Sequence, residues 1–326
     1  MSEFRQDPTN GRWVIVAPER GARPREAEGH AAPDHRHHAF DPACPFCPGN
    51  EAMLPPIIEE VPSGEAPGWS VRVIPNKYPI LAMHDAGPSD PPSAGYGHHE
   101  VIIETPRHDA GLPELSPEEM QAVIETWHRR FCAALARPGI RTALLFGNHG
   151  NRAGASLGHL HSQLVALAFI PPRLKASLAV ARDWHEEHGS CAACEELRRE
   201  LEADKRVVEL TDAFAVLVPR AAGSTLEQWI VPLEHQPSFA VANRANLAAL
   251  GGVVQRAVRR LKSAAGDPSY NLLVEPGSTD PEDAAAAHWT LRIVPNLSVP
   301  GGFELLSGIS VNPSSPEDDA KRLHEC

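Results

Sequence analysis

The chain has 326 residues, a formal net charge of −12, six cysteines, 32 prolines and 24 glycines. Its length suits about two domains, and its acid excess leaves no basic footprint for nucleic acid. No run of eighteen apolar residues reads as a membrane span. The start, Met1 to Asp7, lacks a signal-peptide pattern, so the expected compartment is cytoplasmic and the cysteines favour metal sites over disulfides.

Taken along the chain, residues 21–43 form a Pro-, His- and Arg-rich segment that reads as a solvated loop. Its histidines, His30, His35, His37 and His38, show no fixed ligand spacing. Cys44-Pro45-Phe46-Cys47 follows, a pair that alone suits redox chemistry, metal binding or chance. Val71 to Asn76 reads as a strand, residues 84–97 as a Gly/Pro loop, and His99 to Ile103 as a second strand running into Thr105-Pro106-Arg107-His108. Ser116 to Leu135 has apolar residues at three- and four-residue spacing. Ser116 stands as N-cap, Pro117 in the first turn and Glu119 three residues on, a helix-start signature. Thr142 to Phe146 is a strand, and His159 to Val165 is another, opened by a histidine.

The same order then recurs. Cys191-Ala192-Ala193-Cys194 precedes strands at Ala215 to Arg220 and Gln228 to Val231, His235, a helix from Arg244 to Lys262, a strand from Asn271 to Val274, and a last strand from His288 to Val294. Each copy offers two cysteines and two histidines: Cys44, Cys47, His108 and His159, then Cys191, Cys194, His235 and His288. That is the donor count of a closed tetrahedral zinc site. The expected architecture is therefore α+β, a tandem duplication with antiparallel sheets, flanking helices and two structural zinc ions per chain. The boundary falls between residues 1–171 and 172–326. Cys132 and Cys326 lie outside the ligand sets and read as unliganded thiols.

The candidate chemistry lies in Gly154-Ala155-Ser156-Leu157-Gly158-His159-Leu160-His161-Ser162-Gln163. Alternation on a strand puts His159, His161 and Gln163 on one face. The small residues before them let a ligand approach the backbone closely, and a turn with Ser156 beside it can donate hydrogen bonds to a phosphate. A neutral imidazole there can attack phosphorus. The second copy has Thr290 where His161 would fall, so one copy would be catalytic and the other structural.

These motifs, together with Arg5-Gln6-Asp7-Pro8, Trp13 to Pro24, Pro75-Asn76, Asn148, His288-Trp289 and Gly301-Gly302-Phe303-Glu304, resemble the galactose-1-phosphate uridylyltransferase family, in the transferase branch of the histidine triad superfamily. The chain is similar also to the related ADP-glucose phosphorylases. The resemblance covers nearly the whole chain. It implies a histidine-triad-like unit in each half and double-displacement nucleotidyl transfer, with UMP moving between UDP-glucose and a hexose 1-phosphate. The alternative kept open is AMP transfer from an ADP-sugar to phosphate; a more distant one is a non-catalytic, zinc-stabilised nucleotide-binding protein. His161 would be the nucleophile, and Gln163 would hydrogen-bond the phosphoryl oxygen. Arg20, Arg23, Asn76, Asn148, Gly154, Ala155 and Ser156 match nucleotide and phosphate contacts, and Phe303 and Glu304 a segment near the sugar. Histidine triad hydrolases carry a third histidine at the Gln163 position. An amide cannot donate a proton to a leaving group as imidazolium does, so glutamine suits transfer to and from sugar phosphates. Many uridylyltransferases place a His-x-His pair after the His-Trp step; here Arg292 and Val294 stand there, and the second Cys/His set matches the ADP-glucose phosphorylase branch. The expected partners are a nucleotide sugar and a sugar 1-phosphate or phosphate, with a homodimer implied by the family.

Overall fold

A computed structural model describes residues 2–18, 38–64, 68–83, 87 and 95–326. Arg20, Arg23 and three of the loop histidines, His30, His35 and His37, lie outside the described residues, as does most of the 84–97 loop. The chain divides into two compact units. One comprises residues 33–171 and 243–255; the other comprises residues 1–32, 172–242 and 256–326. The N-terminal hairpin, β1 (Glu3–Gln6) and β2 (Trp13–Val16), belongs to the latter.

The first of these units is built on β3 (Glu59–Pro62), β4 (Trp69–Pro75), β5 (Gly97–Ile103), β6 (Thr142–His149) and β7 (His161–Leu167). They pair antiparallel in the order β3-β4-β5-β7-β6. Helix α1 (Pro117–Leu135) packs on β4, β6 and β7. Its start follows the capping box: Ser116 Oγ accepts from Glu119 N, and the Glu119 carboxylate accepts from Ser116 N. Its buried stripe, Met120, Val123, Ile124, Trp127, Phe131 and Ala134, keeps helical spacing and forms the core on that side. The sheet's other face carries an apolar cluster too. There Cys44, Phe46, Cys47, Trp69, Ile74, Val101 and Ile103 form a second cluster, so β4 is buried along nearly its whole length, Ser70 and Arg72 included.

The other unit carries α2 (Pro172–His188), α3 (Ala192–Ala203), β8 (Val207–Leu210), β9 (Phe214–Leu217) and β10 (Gln228–Pro232). After helix α4 (Arg244–Ala265), which is divided between the units, come β11 (Tyr270–Glu275) and β12 (Thr290–Pro295). These strands pair antiparallel in the order β11-β12-β10-β9-β8. Helix α5 (Gly302–Ser307), β13 (Ser310–Asn312) and α6 (Pro316–His324) end the chain, with β13 parallel to β2 in a three-stranded sheet β1-β2-β13. Trp289 packs edge-on against Phe214 and Phe239 in this core.

Strand limits differ from the sequence expectation in two respects. β9 ends at Leu217 rather than Arg220. The last strand of each half begins two residues later than expected, at His161 and Thr290. His159 and His288 precede the ladder because their rings turn into the cysteine–histidine clusters. His161 and Gln163 therefore share one face of β7, and His159 lies outside that alternation.

Candidate active site and metal clusters

Each half brings its two cysteines and two histidines together, with all four donor atoms of a set within 4.8 Å of one another. In the first, Cys47 Sγ lies 3.4 Å from His108 Nδ1 and 3.7 Å from His159 Nδ1, and Cys44 Sγ lies 3.7 Å from His159 Nδ1. In the second, Cys194 Sγ lies 3.4 Å from both His235 Nδ1 and His288 Nδ1. Ordinary zinc bond lengths in a tetrahedron place sulfur and nitrogen about 3.6 Å apart, so both sets fit such an ion. The histidine tautomers agree. His159 Nε2–H donates to Thr105 O at 2.7 Å and His235 Nε2–H to Ala284 O at 2.8 Å, leaving each Nδ1 lone pair toward the sulfurs. Burial holds the His159 imidazole well below its ordinary range, at about 4, so it stays neutral as a ligand must. The first cluster is wholly buried; in the second, His235 is exposed.

His161 opens β7 beside the first cluster. Its Nδ1–H donates to the His159 carbonyl at 2.8 Å, so the neutral ring keeps its lone pair on Nε2. Burial lowers the affinity of this ring for a second proton, opposed by that backbone bond. Phe46 stands edge-on to the ring, with centroids 5.3 Å apart, and fixes its orientation.

Gln163 lies on the same face of β7, two residues on. Its Oε1 accepts from His99 Nε2 at 2.9 Å and from Asn76 Nδ2 at 3.4 Å. Asn76 is oriented in turn by Tyr78 N, which donates to its Oδ1 at 2.8 Å. The turn before β7 runs from Gly150 through a short 3-10 segment, Asn151–Ala153, to Gly154. Gly154 has φ +86°, which an L side chain rarely adopts. A Cβ there would stand 3.8 Å from Asn148 Nδ2, placing the Asn148 amide against this small-residue turn. Asn76, Asn148, Gly154, Ala155, Ser156, His161 and Gln163 thus belong to one unit.

Phe303 and Glu304 belong to the other unit. Phe303 is half exposed, but both Glu304 oxygens are engaged locally. They accept from Gly301 N at 2.7 Å and Val311 N at 3.0 Å, capping α5. His99, which no motif marks, joins Gln163 and Asn76 in this hydrogen-bonded group. The signal was available: His98-His99-Glu100 places three polar residues inside a strand otherwise buried and apolar.

Different side chains follow the second cysteine–histidine set. Counted from His288, Thr290 and Arg292 occupy the places of His161 and Gln163. Arg292 is buried in a charged triad, donating to Glu227 at 2.7 Å and Glu275 at 2.6 Å. Glu275, Thr290 and Arg292 line a cavity of about 120 Å³ together with residues of α2 and α3.

With this geometry in hand, the comparisons are specific. A family model described as galactose-1-phosphate uridyl transferase, N-terminal domain, matches residues 1–171. An ADP-glucose phosphorylase of Arabidopsis thaliana is 32% identical over 332 residues, covering 99% of this chain and 92% of the relative. A galactose-1-phosphate uridylyltransferase of Thermotoga maritima is 29% identical over 247 residues, covering 72% of this chain and 68% of the relative. Among solved structures, an Arabidopsis thaliana ADP-glucose phosphorylase with bound ADP-glucose superposes with a TM-score of 0.88 at 32% identity, over 100% of this chain and 99% of that one. A solved uridylyltransferase gives 0.75 at 26% identity, over 100% and 98%. The chain belongs to the galactose-1-phosphate uridylyltransferase family. It is accordingly a nucleotidyltransferase of that family, and among the described residues no helix is long and apolar enough to cross a membrane.

Proposed function

We propose that the chain transfers a nucleoside monophosphate from a nucleotide sugar to a phosphate-bearing acceptor through a nucleotidyl–His161 intermediate. The observation that carries this is the tautomer of His161, whose Nδ1–H is tied to the His159 carbonyl so that Nε2 is nucleophilic. Nε2 attacks the α-phosphorus, and the bond from that phosphorus to the bridging oxygen breaks. The electron pair leaves with the sugar 1-phosphate, which needs no proton to depart. Positive charge appears on the ring, and the His159 carbonyl stabilises it through Nδ1–H. Gln163 donates to a non-bridging oxygen as negative charge builds there. Asn76, Asn148 and the Gly154-Ala155-Ser156 turn hold the nucleotide phosphates, and Arg20 and Arg23 add charge-assisted contacts. The segment of Phe303 and Glu304 is offered to the sugar, Phe303 by its exposed ring and Glu304 by bracing α5 through Gly301 N and Val311 N.

The two Cys/His sets hold structural zinc. Neither needs an open position, since the nucleophile is a side chain; zinc there ties the cysteine turns to the strands. The chain reads as a tandem duplication, residues 1–171 catalytic and 172–326 structural, acting in the cytoplasm as a homodimer.

For the nucleotide, similarity along almost the whole chain to a relative named ADP-glucose phosphorylase supports AMP transfer from an ADP-sugar to phosphate. The second reading, UMP transfer between UDP-glucose and a hexose 1-phosphate, is supported by the family model and the Thermotoga relative. Turnover of ADP-glucose with phosphate, run beside UDP-glucose with galactose 1-phosphate, separates them. Inactivity toward both pairs would count against nucleotidyl transfer.

A further inference from the structure

We propose that His99 is a positioning residue that fixes which end of the Gln163 amide faces the reacting phosphate. This rests on the nucleotidyl transfer reading above, in which Gln163 must present a donor.

The amide N–H of Ile80 donates to His99 Nδ1 at 3.3 Å. A backbone N–H has no alternative role, so Nδ1 carries the lone pair. The neutral ring's proton is therefore on Nε2. That N–H stands 2.9 Å from Gln163 Oε1 and donates to it. Asn76 reinforces the choice by the same logic, because Tyr78 N pins its Oδ1 and leaves its Nδ2 to donate. Asn76 Nδ2 and His99 Nε2 are 3.1 Å apart, so two N–H groups converge on one oxygen. A flipped amide would set its NH₂ against both donors. The carbonyl end of Gln163 is therefore held inward, and the NH₂ end is the one offered to a phosphoryl oxygen. Without His99, an amide is free to turn either way, and the flipped form would point a carbonyl at a developing anion. Burial keeps His99 neutral, as this arrangement needs.

The second half supports the positional logic. Val101 pairs in register with Gln163, and His99 lies two residues before Val101. Trp229 pairs in register with Arg292, and Glu227, two residues before Trp229, is one of the two carboxylates that grip Arg292. The same sheet position thus holds the same partner position in both halves, with different chemistry.

The test is single-turnover formation of the nucleotidyl–protein adduct by the zinc-loaded full chain, using ADP-glucose and UDP-glucose, in His99→Phe, Gln163→Ala and the double variant. His99→Asn serves as a second variant, since it can still accept from Ile80 N but lacks the outer N–H. Metal content and unfolding midpoint check the fold of each. Losing an oriented donor typically slows such a step by about 10²–10³, and His99→Phe or His99→Asn should lose about a tenth to all of that. Nucleotide-sugar affinity should stay unchanged, and His99→Phe should add nothing to Gln163→Ala, because both act on one amide. Additive losses, or a loss confined to affinity, would overturn the role of His99 alone. A Gln163→Ala chain forming adduct at the parent rate would overturn the role given to Gln163, and His99 with it.

Discussion

The Nδ1 of His161 lies 2.8 Å from the carbonyl oxygen of His159, a residue whose own ring faces the sulfurs of Cys44 and Cys47. In the proposed reaction, the His161 nucleophile is therefore oriented by the backbone of a residue of the first cysteine–histidine set. On that proposal the first cluster serves the chemistry through geometry, whereas the second, beside Thr290, has no nucleophile to orient.

That difference predicts unequal effects of removing the clusters. Cys47→Ser should lose one zinc equivalent and slow adduct formation by about 10²-fold, the scale of a misplaced reacting group. Cys194→Ser should lose one equivalent and lower stability with little change in the rate of the remaining folded enzyme. Elemental analysis beside single-turnover kinetics checks both; equal kinetic losses would remove the distinction.

Zinc itself is expected at two equivalents per chain, each closed. Binding at structural zinc sites is worth on the order of 10–16 kcal/mol in small domains, so chelation should lower the thermal midpoint in two separable steps. One equivalent in the parent chain, or iron in place of zinc, would contradict this.

Gln163→Ala should slow both nucleotidylation and release by about 10²–10³. Gln163→His should raise hydrolysis of the adduct relative to transfer, because imidazolium can act as an acid where an amide cannot. Adduct decay in water, with and without phosphate or sugar 1-phosphate, reports the partition. Unchanged partitioning would mean that water access sets the reaction type.

Acid stability should depend on Glu100. Burial alone would raise its carboxyl, but hydrogen bonds from His98 and Arg130 outweigh that and hold it at about 2. The folded value is depressed below the ordinary 4.5. Its stabilisation is thus fully present above pH about 4.5 and lost as pH falls toward 2, at most about 3 kcal/mol. Glu100→Gln should be less stable than the parent at pH 7, and the gap should close on acidification. Following the difference by urea unfolding cancels any effect of acid on zinc, and a constant gap would refute the assignment.

How much was legible in the sequence follows from where the forces lie. Strands β4, β5, β6 and β7 and helix α1 could be read because each has a buried apolar period bounded by turn residues or a cap. The metal sets were legible because ligand chemistry demands particular side chains at repeated spacing. Helix α2 was not, since among its described residues only Ala181 is buried and no apolar stripe marks it. The sheet β1-β2-β13 joins Val14 to Ser310, a pairing set by tertiary packing that no local pattern encodes. The polar run His98-His99-Glu100 marks His99 but assigns it no role, because its partners Ile80 N–H and Gln163 lie far from it along the chain.

The most direct measurement is mass analysis of the protein after mixing with ADP-glucose or UDP-glucose and quenching under conditions that spare phosphoramidates. One nucleoside monophosphate per chain should appear, mapped to His161, lost in acid and absent from His161→Asn, which should keep its zinc and its nucleotide binding. The base on that adduct identifies the nucleotide. Turnover without any adduct, or an adduct that persists in His161→Asn, would contradict the covalent account.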